Sequence, residues 1–152
     1  MKIRIISLSV TILFILIAVM GCAIEESTLN TNHLGVPFTI KALEVKSFNS
    51  SDSSLTISFK KVNYDSRCPK SACYLCYGSS SQIQILLTER NKQSSINLTI
   101  PGCQDEFACD DHLYYRKDTL GYRICFLRLD PYPTGAAIDS LKYTAKLNIS
   151  KL

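Results

Sequence analysis

Beyond residue 35 the chain alternates apolar and polar residues with a period of two, and no stretch sustains a helical period. Val36, Phe38, Ile40 and Ala42 fall on one face of a first strand, and a shift near Leu43, ahead of Val45 and Phe48, predicts a bulge or kink. Leu55, Ile57 and Phe59 alternate with Thr56, Ser58 and Lys60 in a second strand that runs on toward Val62 and Tyr64. Ile83, Ile85 and Leu87 mark a third, and a polar turn over 89–94 leads into Ile96, Leu98 and Ile100, which Pro101 and Gly102 terminate. A short strand is expected over 113–116. Tyr122, Ile124, Phe126, Leu127 and Leu129 form the most apolar segment, expected to be central in a sheet with Cys125 on its other face. Pro131 and Pro133 stop it, and Tyr143, Ala145, Leu147 and Ile149 define the last strand. Six or seven short strands with regularly spaced turns predict an all-β domain, an antiparallel two-sheet sandwich, with an open barrel as the alternative.

The first 35 residues follow other rules. Lys2 and Arg4, an apolar run from Ile5 to Met20, then Gly21 and Cys22 have the three parts of an export signal, so 1–21 is expected to be removed. The apolar run is shorter than the ~20 residues a spanning helix needs. Val19-Met20-Gly21-Cys22 resembles the bacterial lipobox, with Met20 where a small residue is usual, which implies that Cys22 is acylated and becomes the new N-terminus. Ala23 in the next position, rather than aspartate, implies an outer-membrane or cell-surface destination. Glu25 and Glu26 resemble the acidic surface-export signal of Bacteroidetes-type lipoproteins. Residues 22–35, polar and aperiodic, read as a lipidated flexible tether, leaving 36–152 as a single β domain. His33 in the tether reads as a solvated linker residue.

The seven cysteines fit this picture, because setting Cys22 aside leaves six: Cys68, Cys73, Cys76, Cys103, Cys109 and Cys125. An even number in an exported chain predicts three disulfides. Cys68 with Cys73 or Cys76, and Cys103 with Cys109, would close short loops, leaving Cys125 to join the remaining cysteine; six cysteines permit fifteen pairings and spacing does not choose.

Other chemistry has less support. Cys73-Tyr74-Leu75-Cys76 has redox spacing without the strand-to-helix setting such motifs use, and zinc held by Cys68, Cys73, Cys76 and His112 conflicts with an oxidising compartment. Asp105, Glu106, Asp110 and Asp111 lack an ordered calcium-loop pattern. His112 is the sole histidine outside the tether, and neither a G-x-S-x-G elbow nor an H-E-x-x-H pair occurs, so no catalytic residue, metal or cofactor is assigned and the chain reads as non-enzymatic. The net charge of +4 falls to +2 once Lys2 and Arg4 leave, and no long basic run calls for nucleic acid.

Asp65-Ser66-Arg67-Cys68-Pro69, Gly78, and the distal Tyr122-x-Ile124-x-Phe126-x-x-Leu129-x-Pro131-Tyr132-Pro133 resemble a family of small uncharacterised bacterial lipoproteins with a D-S-R-C-P segment. The resemblance implies an exported β domain and adds no catalytic residue. The family's second cysteine falls where this chain has Tyr74. Asp65 is expected to accept a backbone N–H in an Asx-type turn and to pair with Arg67. The expected role is a cell-envelope protein, anchored to the membrane through a lipid such as palmitate on Cys22, with disulfide-stapled loops that bind a protein or glycan. A protease inhibitor and a structural envelope component are the alternatives.

Overall fold

The structure is a computed structural model that describes residues 33–49, 54–69, 72–73, 78–103, 106–109 and 115–152. Cys22, Cys76, Asp105, Asp110, Asp111 and His112 therefore lie outside the described residues, as does all but the end of the expected tether. The described segments belong to a compact unit, Thr31–Leu152.

Among the described residues, eight antiparallel strands form two four-stranded sheets: β1 (Phe38–Lys41), β2 (Val45–Asn49), β3 (Ser54–Asp65), β4 (Ser80–Glu89), β5 (Lys92–Pro101), β6 (Arg116–Thr119), β7 (Tyr122–Asp130) and β8 (Thr144–Lys151). One sheet has the order β1-β8-β7-β6 and the other β2-β3-β4-β5. Their inner faces meet in the core, with Ile40, Ile124, Phe126, Ala145 and Leu147 on one side and Ile57, Phe59, Ile83, Ile85 and Leu98 on the other. The alternating residues read from sequence are the buried ones in β3, β4 and β8, because a period of two places every second side chain on one face.

The expected first strand is two strands. At 42–44 the chain changes sheets: Ala42 N–H donates to Tyr143 O at 2.9 Å in one, and Leu43 N–H donates to Phe59 O at 2.8 Å in the other. Leu43 takes a left-handed φ of 66° at this corner. Phe38 and Phe48, either side of it, meet edge to face with ring centroids 4.9 Å apart. Val36 and Val45, expected inside, are exposed: Val36 precedes the first residue of β1, and Val45 lies opposite Ser58 on the outer face of β2. Lys46 instead has the parity of Phe48 and lies opposite buried Ile57, an inward-directed charge on an edge strand, which discourages pairing with another chain. Just ahead of β1, Gly35 N–H donates to Ile149 O at 2.6 Å and ties the incoming chain to β8.

The two ends of the sandwich differ. Two-residue turns, Arg90–Asn91 and Leu120–Gly121, close β4–β5 and β6–β7 at one end. At the other, the long connections 66–79, 102–115 and 131–143 leave the sheets.

β7 is central and covered on both faces, with a register shift at Leu127 that lets Phe126 and Leu129 both point inward. Residues 106–109 lie along its outer face. Phe107 N–H donates to Leu127 O at 2.9 Å, Cys109 is bonded to the fully buried Cys125, and Glu106 reaches Lys146 on β8.

Candidate functional site: a buried clamp at the loop-bearing end

The site begins where β3 runs out of ladder. Ser66 prolongs it by one step, with its N–H donating to Ser80 O at 2.9 Å and its Oγ accepting from Ser80 N–H at 3.1 Å. That step turns the next side chain, Arg67, into the gap between the sheets, where it is 4% exposed.

Asp65 and Arg67 hold each other in a fork. Asp65 Oδ1 accepts from the Arg67 backbone N–H at 3.2 Å, the Asx-type turn, and from Nε at 2.8 Å; Oδ2 accepts from Nη2 at 2.8 Å. The guanidinium then crosses to the other sheet: Nη1 donates to Leu129 O at 2.7 Å and Nη2 to Pro131 O at 3.2 Å, past a cis Asp130–Pro131 bond. Its central carbon lies 4.9 Å from the centroid of the Tyr132 ring. Desolvating two charges costs several kcal/mol per ion, and only near-complete hydrogen bonding offsets that. The planar fork of arginine supplies it here in a way a lysine ammonium does not.

Tyr143, the residue just ahead of β8, completes the site, donating its hydroxyl proton to Asp65 Oδ2 at 3.1 Å. Burial, and then the Asp65 charge it faces and bonds, push its phenol pKa from 10.0 up to about 12, against an opposing effect of Arg67. A folded-state value above the unfolded one favours the native state fully below pH 10, and this contribution is lost as pH rises toward about 12. Tyr143→Phe is expected to cost about 1.5–3 kcal/mol at neutral pH, the usual worth of a hydrogen bond to a charged group. It should also flatten the alkaline fall in stability relative to wild type. Chemical denaturation between pH 8 and pH 12 checks both effects, and an unchanged alkaline slope would count against the assignment.

Disulfides extend the clamp to the remaining loops. Cys73 is bonded to Cys103, whose backbone N–H donates to Tyr132 Oη at 3.0 Å. Gly102, just before it, runs so close to β4 that a Cβ there would lie 2.0 Å from Ser79 Oγ, so only glycine fits this approach. Cys109 is bonded to Cys125. These pairs correct the short closures expected from spacing: Cys103 reaches back thirty residues to Cys73 instead of joining Cys109. Cys68 is disulfide-bonded as well.

This pairing removes two of the competing chemistries. Cys73 bonded to Cys103 cannot cycle with Cys76, and thiolates for zinc are not present at Cys68 or Cys73. Glu106, one of the four candidate calcium ligands, has its oxygens turned to Lys146 at 2.5 Å and Arg128 at 3.8 Å. The hydrogen bond from Lys146, more than burial opposes it, holds its carboxyl below the usual range.

Asp65 and Arg67 are legible in the sequence as a pair, whereas Tyr132 and Tyr143 carry no sequence signal of their place in the clamp. No local pattern links residues 62–78 positions apart, although the proline-flanked Tyr132 stood in one of the two segments singled out. Those two segments, 65–69 and 129–133, meet in the clamp. None of the protein-family models, curated proteins or solved structures compared with the chain matches it.

Proposed function

We propose that the protein is a non-enzymatic, lipid-anchored protein of the bacterial cell envelope whose β domain presents fixed loops to a protein or glycan partner. The observation that carries this reading is the asymmetry of the sandwich: the three long connections, 66–79, 102–115 and 131–143, leave from one end, and the clamp and disulfides tie them to one another there. Loops on a rigid sheet scaffold are the usual place for recognition. Holding them before contact reduces the entropy lost on binding. The lipobox-like Val19–Cys22 and the resemblance of Asp65–Pro69 to lipoprotein sequences support the location.

Expression of the full chain in a bacterial host tests the anchor. Mass spectrometry should find an acylated N-terminal Cys22, and Cys22→Ala should shift the protein from the membrane to the soluble fraction. An unacylated Cys22, or a membrane-bound Cys22→Ala protein, would refute the lipid anchor. Incubation of the same protein with a panel of secreted proteases separates loop presentation from inhibition, since an inhibitor would block at least one of them at stoichiometric concentration.

A further inference from the structure

The sheet β2-β3-β4-β5 turns its outer face to solvent, and that face has an unusual arrangement along β3. Register shifts between Phe59 and Lys61 and between Val62 and Tyr64 place two β3 residues against one of β4 at each point. Each bulge doubles an exposed position: Lys60 with Lys61, then Asn63 with Tyr64. The face therefore gathers two ammonium groups, an amide and a 44% exposed tyrosine within five residues, beside Gln82 and Gln84 of β4.

The polar side chains here hold one another. Asn63 Nδ2 donates to Gln82 Oε1 at 2.9 Å and to Asn97 Oδ1 at 3.1 Å; Gln82 Nε2 donates to Thr99 Oγ1 at 3.0 Å; and Gln84 Nε2 donates to Ser95 Oγ at 3.1 Å. Tyr64 Oη accepts from Ser80 Oγ at 3.5 Å. Exposed amides are ordinarily free rotors. A network spanning three strands fixes them in advance, so less order is lost when a ligand binds.

We propose that this face binds an acidic glycan, a pyranose chain carrying carboxylates. The half-exposed ring of Tyr64 offers an apolar plane with a polar tip for a sugar face. The amide and hydroxyl row supplies donors and acceptors for sugar hydroxyls. Lys60 and Lys61 supply positive charge, and among the described residues this face carries no carboxylate: Asp65 is turned inward to Arg67, and Glu89 accepts from Tyr122 Oη. A protein partner would want an apolar centre where the amide network stands. A nucleic acid would want more cations than this pair, since binding scales with phosphates neutralised. The site is separate from the clamped loops, so it stands whether or not they bind a partner.

The test is titration calorimetry of the full-length protein in detergent micelles with oligogalacturonate, alginate and hyaluronan fragments, with neutral galacto-oligosaccharides, and with polyglutamate and a single-stranded oligonucleotide. At least one uronate chain should bind more tightly than the neutral sugars and the two other polyanions. Tyr64→Ala, and Lys60→Gln with Lys61→Gln, should each weaken that binding about tenfold, or ~1.4 kcal/mol. Lys117→Gln, an exposed lysine of β6 in the other sheet, should leave it unchanged. All these positions are exposed, and thermal unfolding verifies that each variant is folded. The proposal is overturned if no uronate chain binds, if neutral sugar, polyglutamate or oligonucleotide binds as well, or if the folded face variants bind like wild type.

Discussion

Replacing Arg67 with alanine is expected to lower the unfolding free energy by about 3–5 kcal/mol, the usual consequence of stripping one partner from a buried ion pair. The loss has two sources. Asp65, whose side chain is 5% exposed, would keep a buried charge answered only by the Tyr143 hydroxyl and backbone. The carbonyls of Leu129 and Pro131 would lose the donors that hold the end of β7 to β3. For a domain of this size such a change lowers the thermal midpoint by about 12–20 °C, and guanidinium denaturation with the disulfides intact measures it directly. Arg67→Lys should recover only part of the loss, because an ammonium cannot serve the carboxylate and two carbonyls in one plane. Asp65→Ala should be costly too, and the pair Asp65→Ala with Arg67→Ala should cost clearly less than the sum of the single changes, as expected for residues that share one interaction. Wild-type stability in Arg67→Ala would remove the clamp from any account of the fold.

Loss of a disulfide is the other large effect. In the chain-entropy model, closing sixteen residues between Cys109 and Cys125 is worth about 3 kcal/mol, and closing thirty between Cys73 and Cys103 slightly more. The first has a further consequence: without it the cover over Cys125 and Leu127 keeps the Phe107 backbone bond, the Phe107–Tyr115 ring contact and the Glu106 ion pairs, but loses its covalent tie to β7. Cys109→Ala with Cys125→Ala is therefore expected to lose at least the entropic amount in urea and to expose the outer face of β7 to hydrogen exchange. Proteolysis of the oxidised protein should yield linked peptides for 73–103 and 109–125. A peptide joining Cys103 to Cys109 would contradict the structure.

The strands were legible where burial is decided locally. In Leu55–Phe59 and Ile83–Leu87 one face meets the core and the other meets water, so alternation alone identifies the strand and its inner face. β7 was legible for the opposite reason: apolar residues on both faces announce a strand covered twice. The sheet change at 42–44 was visible only as a lost rhythm near Leu43, because whether a break is a bulge or a transfer depends on Phe59 and Tyr143, the distant residues that take up the backbone. Cysteine pairing failed similarly. Short spacing between Cys103 and Cys109 favours closure in an unfolded chain, but the folded sheets carry Cys73 to one and Cys125 to the other. Of the clamp, the carboxylate and guanidinium two residues apart could be read as a pair, whereas Tyr143 and two carbonyls could not, since backbone oxygens carry no sequence signature.

The two sheets also differ in when they can exist. β2 to β5 follow one another and pair in chain order, so that sheet is complete once residue 101 has been made. The other joins β1, near residue 38, to β8, beginning at residue 144, and so requires both ends of the domain at once. Contacts between distant segments close late because the intervening chain must first be ordered. Chain order thus allows the first sheet to offer an apolar face before the second can close, with Arg67 already at the end of β3 when the carbonyls of Leu129 and Pro131 follow.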